Sequence, residues 1–139
     1  MKVSFFTNNG SKNSEPIFNA LISFVEKDHE VVLNDINADV AVIWSLLWHG
    51  RMYANKPIWK EFKRQGKPVI VLEVGGLKRN ETWKVGIDGI NGRANFANND
   101  NLDFDRPNKL GITLKPWNTT GENIIICGQH QKSEQWINL

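Results

Sequence analysis

Two continuous apolar runs, Asp39-Val-Ala-Val-Ile-Trp44 and Pro68-Val-Ile-Val-Leu72, flank a segment with helical apolar spacing. A strand with one wet face alternates apolar and polar side chains. A strand that is apolar throughout is covered on both faces. Two such strands joined by a helix form a crossover, which belongs to a parallel sheet. The pattern therefore predicts a single Rossmann-like α/β domain over residues 1–139, with three layers and a mainly parallel sheet. A chain of this length buries roughly 70% of its unfolded surface, enough for a core without staples.

The flanking segments fit the same scheme. Lys2 to Phe6 reads as a first strand, and the polar stretch Thr7 to Ser14 as the turn after it. Ser14 is placed to cap a helix with Pro16 in its first turn. Ile17, Ala20, Leu21, Phe24 and Val25 then recur at helical spacing. Glu30 to Leu33 reads as a second strand. Pro57 to Gln65 reads as a second helix, with Gly66 just past its end. Beyond Leu72 the expectations are a strand over Thr82–Ile87 and a polar loop over Asn91–Asp105. One helical turn over Arg106–Leu110, a linker over Leu114–Gly121 and a last strand over Asn123–Cys127 follow. Cys127, the one cysteine, reads as a buried small hydrophobe.

In an open α/β sheet, ligands bind beyond the carboxyl ends of the strands. Three segments occupy that position here. After the first strand come Asn8, Asn9, Gly10 and Ser11, small polar groups before a helix start, suited to a phosphate or a sugar hydroxyl or to a plain capped loop. After Trp44 come Trp48, His49 and Arg51. Trp48 can stack on a ring or tuck against the second helix, and His49 can serve as a base near neutral pH. After Leu72 comes Glu73-Val-Gly-Gly-Leu-Lys-Arg79. Glu73 can accept a hydrogen bond or act as a base. Gly75 and Gly76 permit close backbone approach, and Lys78 and Arg79 can hold an anion, or all of these form a tight turn with solvated charges. Trp83 and Lys84 can close the crevice as a second wall, with a hairpin-like turn at Asp88-Gly89 as the plainer alternative.

Composition removes several classes. A net charge of +2 signals neither a nucleic-acid binder nor an acidic partner. No run reaches the length of a membrane span, and the amino terminus lacks a signal-peptide pattern, so the cytoplasm is the expected location. No P-loop, dinucleotide fingerprint, nucleophile elbow or metal-ligand spacing is present, so neither a cofactor nor a metal is predicted. The six tryptophans exceed what a core needs and suit sugar stacking or a partner surface.

Val42 to Met52, Val71 to Arg79 and Thr82 to Asn91 resemble a family of marine bacterial and phage proteins that look like two-domain glycosyltransferases of the GT-B type. The segment Cys127-Gly-Gln-His-Gln-Lys-Ser133 is similar to the opening of the second domain in capsule-synthesis-like transferases, so residues 122–139 resemble the start of such a domain. The resemblance implies acceptor contacts from the three strand-end loops, with Glu73 or His49 as base. It also implies a donor site in the second domain, often marked by a His-Pro-Arg-like stretch absent from this sequence. The function expected is thus the acceptor side of a glycosyltransferase, not catalytically complete alone. A stand-alone module for a nucleotide or sugar phosphate remains open, as does a self-associating interaction protein whose orphan last strand pairs with a copy of itself.

Overall fold

The computed structural model describes residues 1–78, 80–91, 94–95, 105–117 and 119–128. The expectations for Arg79, Arg93, most of the Asn91–Asp105 loop, His130 and the polar stretch beyond Gly128 lie outside these residues.

The chain forms a mixed α/β fold around one five-stranded sheet, β1 (Lys2–Phe5), β2 (Glu30–Leu33), β3 (Val40–Trp44), β4 (Val69–Val74) and β5 (Trp83–Ile87). The strand order is β2-β1-β3-β4-β5. Four strands are parallel, and β5 is antiparallel to β4. The helices are α1 (Glu15–Val25), α2 (Asn55–Arg64) and the single turn α3 (Arg106–Lys109). Among the described residues no helix is long and apolar enough to cross a membrane.

Connection handedness decides which face each segment covers. Crossovers between parallel strands are right-handed. The step from β1 to β2 moves one way across the sheet, and the steps from β2 to β3 and β3 to β4 move the other way. Their connections must therefore lie on opposite faces. The two buried clusters agree. Phe18 of α1 packs with Val3, Phe5, Val40, Val42, Trp44 and Leu72. Phe62 of α2 and Ala38 of the β2–β3 connection pack with Ala41, Ile43, Val69 and Val71. Central β3 is buried at every position, as its unbroken apolar run requires.

Phe5 and Phe6 hold both helices. Successive side chains of a strand point to opposite faces. Phe5 meets Phe18 of α1 edge-on at 6.2 Å and 75°, and Phe6 meets Phe62 of α2 at 6.1 Å and 86°. Each such pair adds about 0.5–1.5 kcal/mol beyond the area it buries.

The β2–β3 connection, residues 34–39, crosses β1 without a helix. Small buried residues, Ser4, Ala38 and Ala41, make room for it. The Ser4 Oγ accepts the Asp35 N–H at 2.8 Å, and Asp39 Oδ2 accepts the Lys2 N–H at 2.7 Å.

β5 returns along β4 after a connection over residues 75–82 that is closed at its base. Gly75 N–H donates to the Thr82 carbonyl at 3.0 Å. Past β5, Asp88 adopts φ +62° and ties three elements together. Its Oδ1 accepts the Val69 N–H at 3.0 Å, and its Oδ2 accepts Lys63 Nζ of α2 at 2.6 Å.

The expected last strand does not form. Residues 119–128 carry no strand pairing, and Ile124, Ile125 and Ile126 are 94%, 82% and 89% exposed. Cys127 is likewise exposed, not buried. The apolar run has strand propensity, but propensity alone does not pair a strand: the outer side of β5 already pairs Ile87 with Asn95, and the run does not dock on the β2 edge either.

Candidate functional site

The strand order reverses direction between β1 and β3. At such a switch point the loops leaving the two strands diverge to opposite faces and open a crevice. The loop after β1 forms two 3-10 turns, Thr7–Asn9 and Lys12–Ser14, before α1. The loop after β3 forms a third, Gly50–Ala54, that runs directly into α2.

Asn55, at the start of α2, joins the two loops. Its side chain is fully buried. Its Nδ2 donates to the Trp44 carbonyl at 2.7 Å and to the Asn9 carbonyl at 3.4 Å. Its Oδ1 is buried with no hydrogen-bond partner. Across the crevice, Ser14 Oγ accepts the Ser11 N–H at 3.0 Å and donates to the Ser11 carbonyl at 2.6 Å. The Ser11 hydroxyl is buried in the capping box it forms with Ser14, where it faces the Ser14 N–H without a hydrogen bond of full geometry. Buried polar groups are paired in nearly every native structure, so Asn55 Oδ1 calls for a water or a ligand group.

Ser45, the first residue past β3, is buried and adopts φ +64°. The left-handed region costs a non-glycine residue roughly 1–2 kcal/mol. The turn aims its hydroxyl at β4, where Oγ donates to Glu73 Oε2 at 2.6 Å and accepts the Leu47 N–H at 3.0 Å. Glu73 Oε1 accepts the Val74 N–H at 2.8 Å. A carboxylate offers about four lone-pair sites, so Glu73 retains capacity for a ligand hydroxyl.

The other sequence candidates divide between packing and exposure. Asn8 is exposed on the first turn, its N–H donating to Asn34 Oδ1 at 3.4 Å. Gly10 is required by its own loop, since a Cβ there would collide with Ser14 Oγ and crowd Phe18. Trp48 packs on Trp59 of α2 with ring centroids 6.2 Å apart, which is the tucked arrangement. His49 and Arg51 are exposed beside it. Gly75 serves the hairpin, because a Cβ would collide with the Thr82 carbonyl and hydroxyl. Gly76 faces open space. Lys78 is exposed and ion-paired with Glu81 at 3.8 Å. Lys84 stands opposite Glu73 in the β4–β5 register. Trp83 packs beside the Phe18 cluster, its Nε1 donating to the Asn13 carbonyl of the loop after β1 at 3.3 Å.

Asn55 and Ser45 were not among the sequence candidates. A serine directly after a buried strand, and an asparagine between a loop and Lys56-Pro57, carry weak signals that only strand-end position strengthens.

The helix starts are poor anion sites. Glu15 puts a carboxylate in the first turn of α1, and Pro16 has no N–H to offer. The amides of Gly10, Ser14 and Asn55 already donate to backbone carbonyls within the 3-10 turns. A phosphate would find little of the free amide array that helix termini otherwise provide.

A broad, open depression lies at the other edge, lined by Lys2, Glu26, Asp28, His29, Glu30 and Asp39. It is distant in the fold from the strand carboxyl ends and has a mostly acidic lining. Among the described residues no group of three or more His, Cys, Asp or Glu is placed to hold a metal ion. No family model, curated protein or solved structure matches the chain.

Proposed function

We propose that this chain is a three-layer, Rossmann-like domain that binds a hydroxyl-rich ligand, a sugar, in the crevice between the loops after β1 and β3. In this reading it serves as the acceptor side of a GT-B-like glycosyltransferase in the cytoplasm and does not catalyse transfer alone. The observation that carries it is Asn55 Oδ1, buried without a partner where the two loops of the switch point meet, with the Ser11 hydroxyl only loosely engaged in its capping box on the other loop. A hydroxyl can donate to Asn55 Oδ1, and a second oxygen can exchange a hydrogen bond with the Ser11 hydroxyl.

Glu73 is the third group of the site. Ser45 holds its carboxylate at the strand end, and its free lone pairs suit a sugar hydroxyl or its proton. Trp83 supplies a half-buried aromatic wall. The Glu15 carboxylate and the occupied amides at the helix starts favour an uncharged ligand over a nucleotide or sugar phosphate.

The test is a thermal-melt series with methyl glycosides, nucleotide sugars, sugar phosphates and inorganic phosphate. A native-state ligand at a hundred times its dissociation constant stabilises by about 2.7 kcal/mol. A melting shift with one or more glycosides, absent in Asn55→Ala, is the expected result. A shift with phosphate-bearing compounds alone moves the assignment to the nucleotide module. No shift with any of them removes the ligand-binding reading.

A further inference from the structure

A second surface stands apart from the crevice. Asn123-Ile-Ile-Ile-Cys127 centres on three β-branched isoleucines, each more than four-fifths exposed. Such a run, with its backbone unpaired, is a strand without a sheet.

Among the described residues the sheet has an open edge that fits it. β2 is terminal in the strand order. Glu30 and Asn34 give their N–H groups to Met1 and Phe5 of the β1 side, each at 3.1 Å. Alternation along the strand then turns the N–H and C=O groups of Val31 and Leu33 outward. The apolar surface beside this edge is also uncovered. Leu33 is 59% exposed, Ile36 just beyond it is 38% exposed, and Phe24 on the helix packed above is 66% exposed. The opposite edge is less available, because Asn95 pairs with Ile87 on the outer side of β5.

Within one chain the segment stays off the sheet. The stretch from Ile112 to Glu122 can extend ~3.3–3.6 Å per residue, so its reach covers several inter-strand spacings. Length is therefore not what keeps the segment from its own β2 edge.

We propose that Asn123–Cys127 adds as a sixth strand to the β2 edge of a second copy of this chain, and that two copies exchange these strands. Alternation then sets Ile124 and Ile126 against one face of the edge and Ile125 against the other. The exchange is self-complementary, as a twofold interface requires. It covers both exposed surfaces at once.

Sedimentation velocity on the full 139-residue chain over a concentration series tests this. Ile125→Lys disables the tail, and Leu33→Lys disables the edge, since an inserted lysine blocks strand addition. Both positions are exposed, and circular dichroism melts check that each variant folds. The expected result is a wild-type dimer and two monomeric variants. Mixing the variants should restore a one-to-one complex, because one carries the intact edge and the other the intact tail. A wild type that stays monomeric at every concentration overturns the proposal. So does a dimer that survives either lysine, or variants that fail to associate when mixed. Crevice binding is untouched by any of these outcomes, since neither substitution lies in it.

Discussion

The Ser45 hydroxyl donates to the Glu73 carboxylate at 2.6 Å across the carboxyl ends of two neighbouring parallel strands, β3 and β4. Ser45 reaches it only by entering the left-handed region at φ +64°. Backbone strain held at a strand end, beside a half-buried carboxylate, is the kind of arrangement that surrounding structure must maintain. The strain and the hydrogen bonds pull in opposite directions, and substitution separates them.

Ser45→Ala removes a donor from Glu73 and an acceptor from the Leu47 N–H while keeping the strained φ. Its expected cost is about 1–3 kcal/mol in urea unfolding. Ser45→Gly loses the same bonds but relieves roughly 1–2 kcal/mol of backbone strain. Glycine is therefore expected to be the milder change. A glycine variant less stable than the alanine variant would show that the turn is not strained in solution.

Asn55 gives a prediction with a pH signature. Asn55→Ala orphans the buried Trp44 carbonyl and should cost about 1–3 kcal/mol. Asn55→Asp places a carboxylate where a donor is required, so its charged form is the worse fit and burial raises its folded pKa. The folded state then binds the proton more tightly than the unfolded state. The variant should lose stability as pH rises through the ordinary carboxylate range and beyond, until the folded pKa is passed. Melts from acid to neutral pH, referred to wild type, check the sign. A variant whose stability relative to wild type does not change with pH would place the side chain at position 55 in water.

Two adjacent glycines should behave differently. A Cβ on Gly75 collides with Thr82, whereas one on Gly76 meets nothing within 4 Å. Gly75→Ala is expected to open the β4–β5 turn and cost about 1–3 kcal/mol, the usual range for overpacking. Gly76→Ala should lie within about 0.5 kcal/mol of wild type. Equal effects in denaturant unfolding would contradict the close Gly75–Thr82 approach.

On α2, hydrogen bonds from Arg64 and Gln65 hold the Glu61 carboxyl at about 2, below its ordinary 4.5. A depressed folded pKa stabilises above the unfolded value and is lost as pH falls toward the folded one. The pair is solvent-exposed, so salt should weaken it. A carbon-detected NMR titration of Glu61 is expected to give a midpoint well below 4.5 that rises with added salt. A midpoint near 4.5 at low salt would mean the bonds do not persist in solution.

Much of the fold was legible because its cause is local. The unbroken apolar runs of β3 and β4 read as buried strands, and Pro16 and Pro57 marked the two helix starts. The absence of a helix between β2 and β3 was legible too, since Glu30–Leu33 and Asp39–Trp44 read as strands with only a short link between them. What no pattern shows is that the small size of Ser4, Ala38 and Ala41 makes room for that link. The last strand failed because Ile124 to Ile126 carry propensity that no edge of their own sheet takes up. At the crevice, strand-end position pointed to Glu73 and the Asn9–Ser11 loop. It passed over Ser45 and Asn55, whose roles come from a φ angle and a buried hydrogen bond that no residue-type pattern encodes. Gly75, chosen for closeness to a ligand, and Gly10, chosen as part of a small polar loop, prove to be close to their own chain.

The most direct measurement is a proton–nitrogen NMR titration of the labelled chain with a series of methyl glycosides. The expected result is saturable shifts concentrated at Asn9–Ser11, Ser45–Arg51 and Glu73–Gly76, weakened in Glu73→Gln. Saturable shifts at the Lys2–Asp39 depression instead, or none with any glycoside, would contradict a sugar site at the β1–β3 crevice.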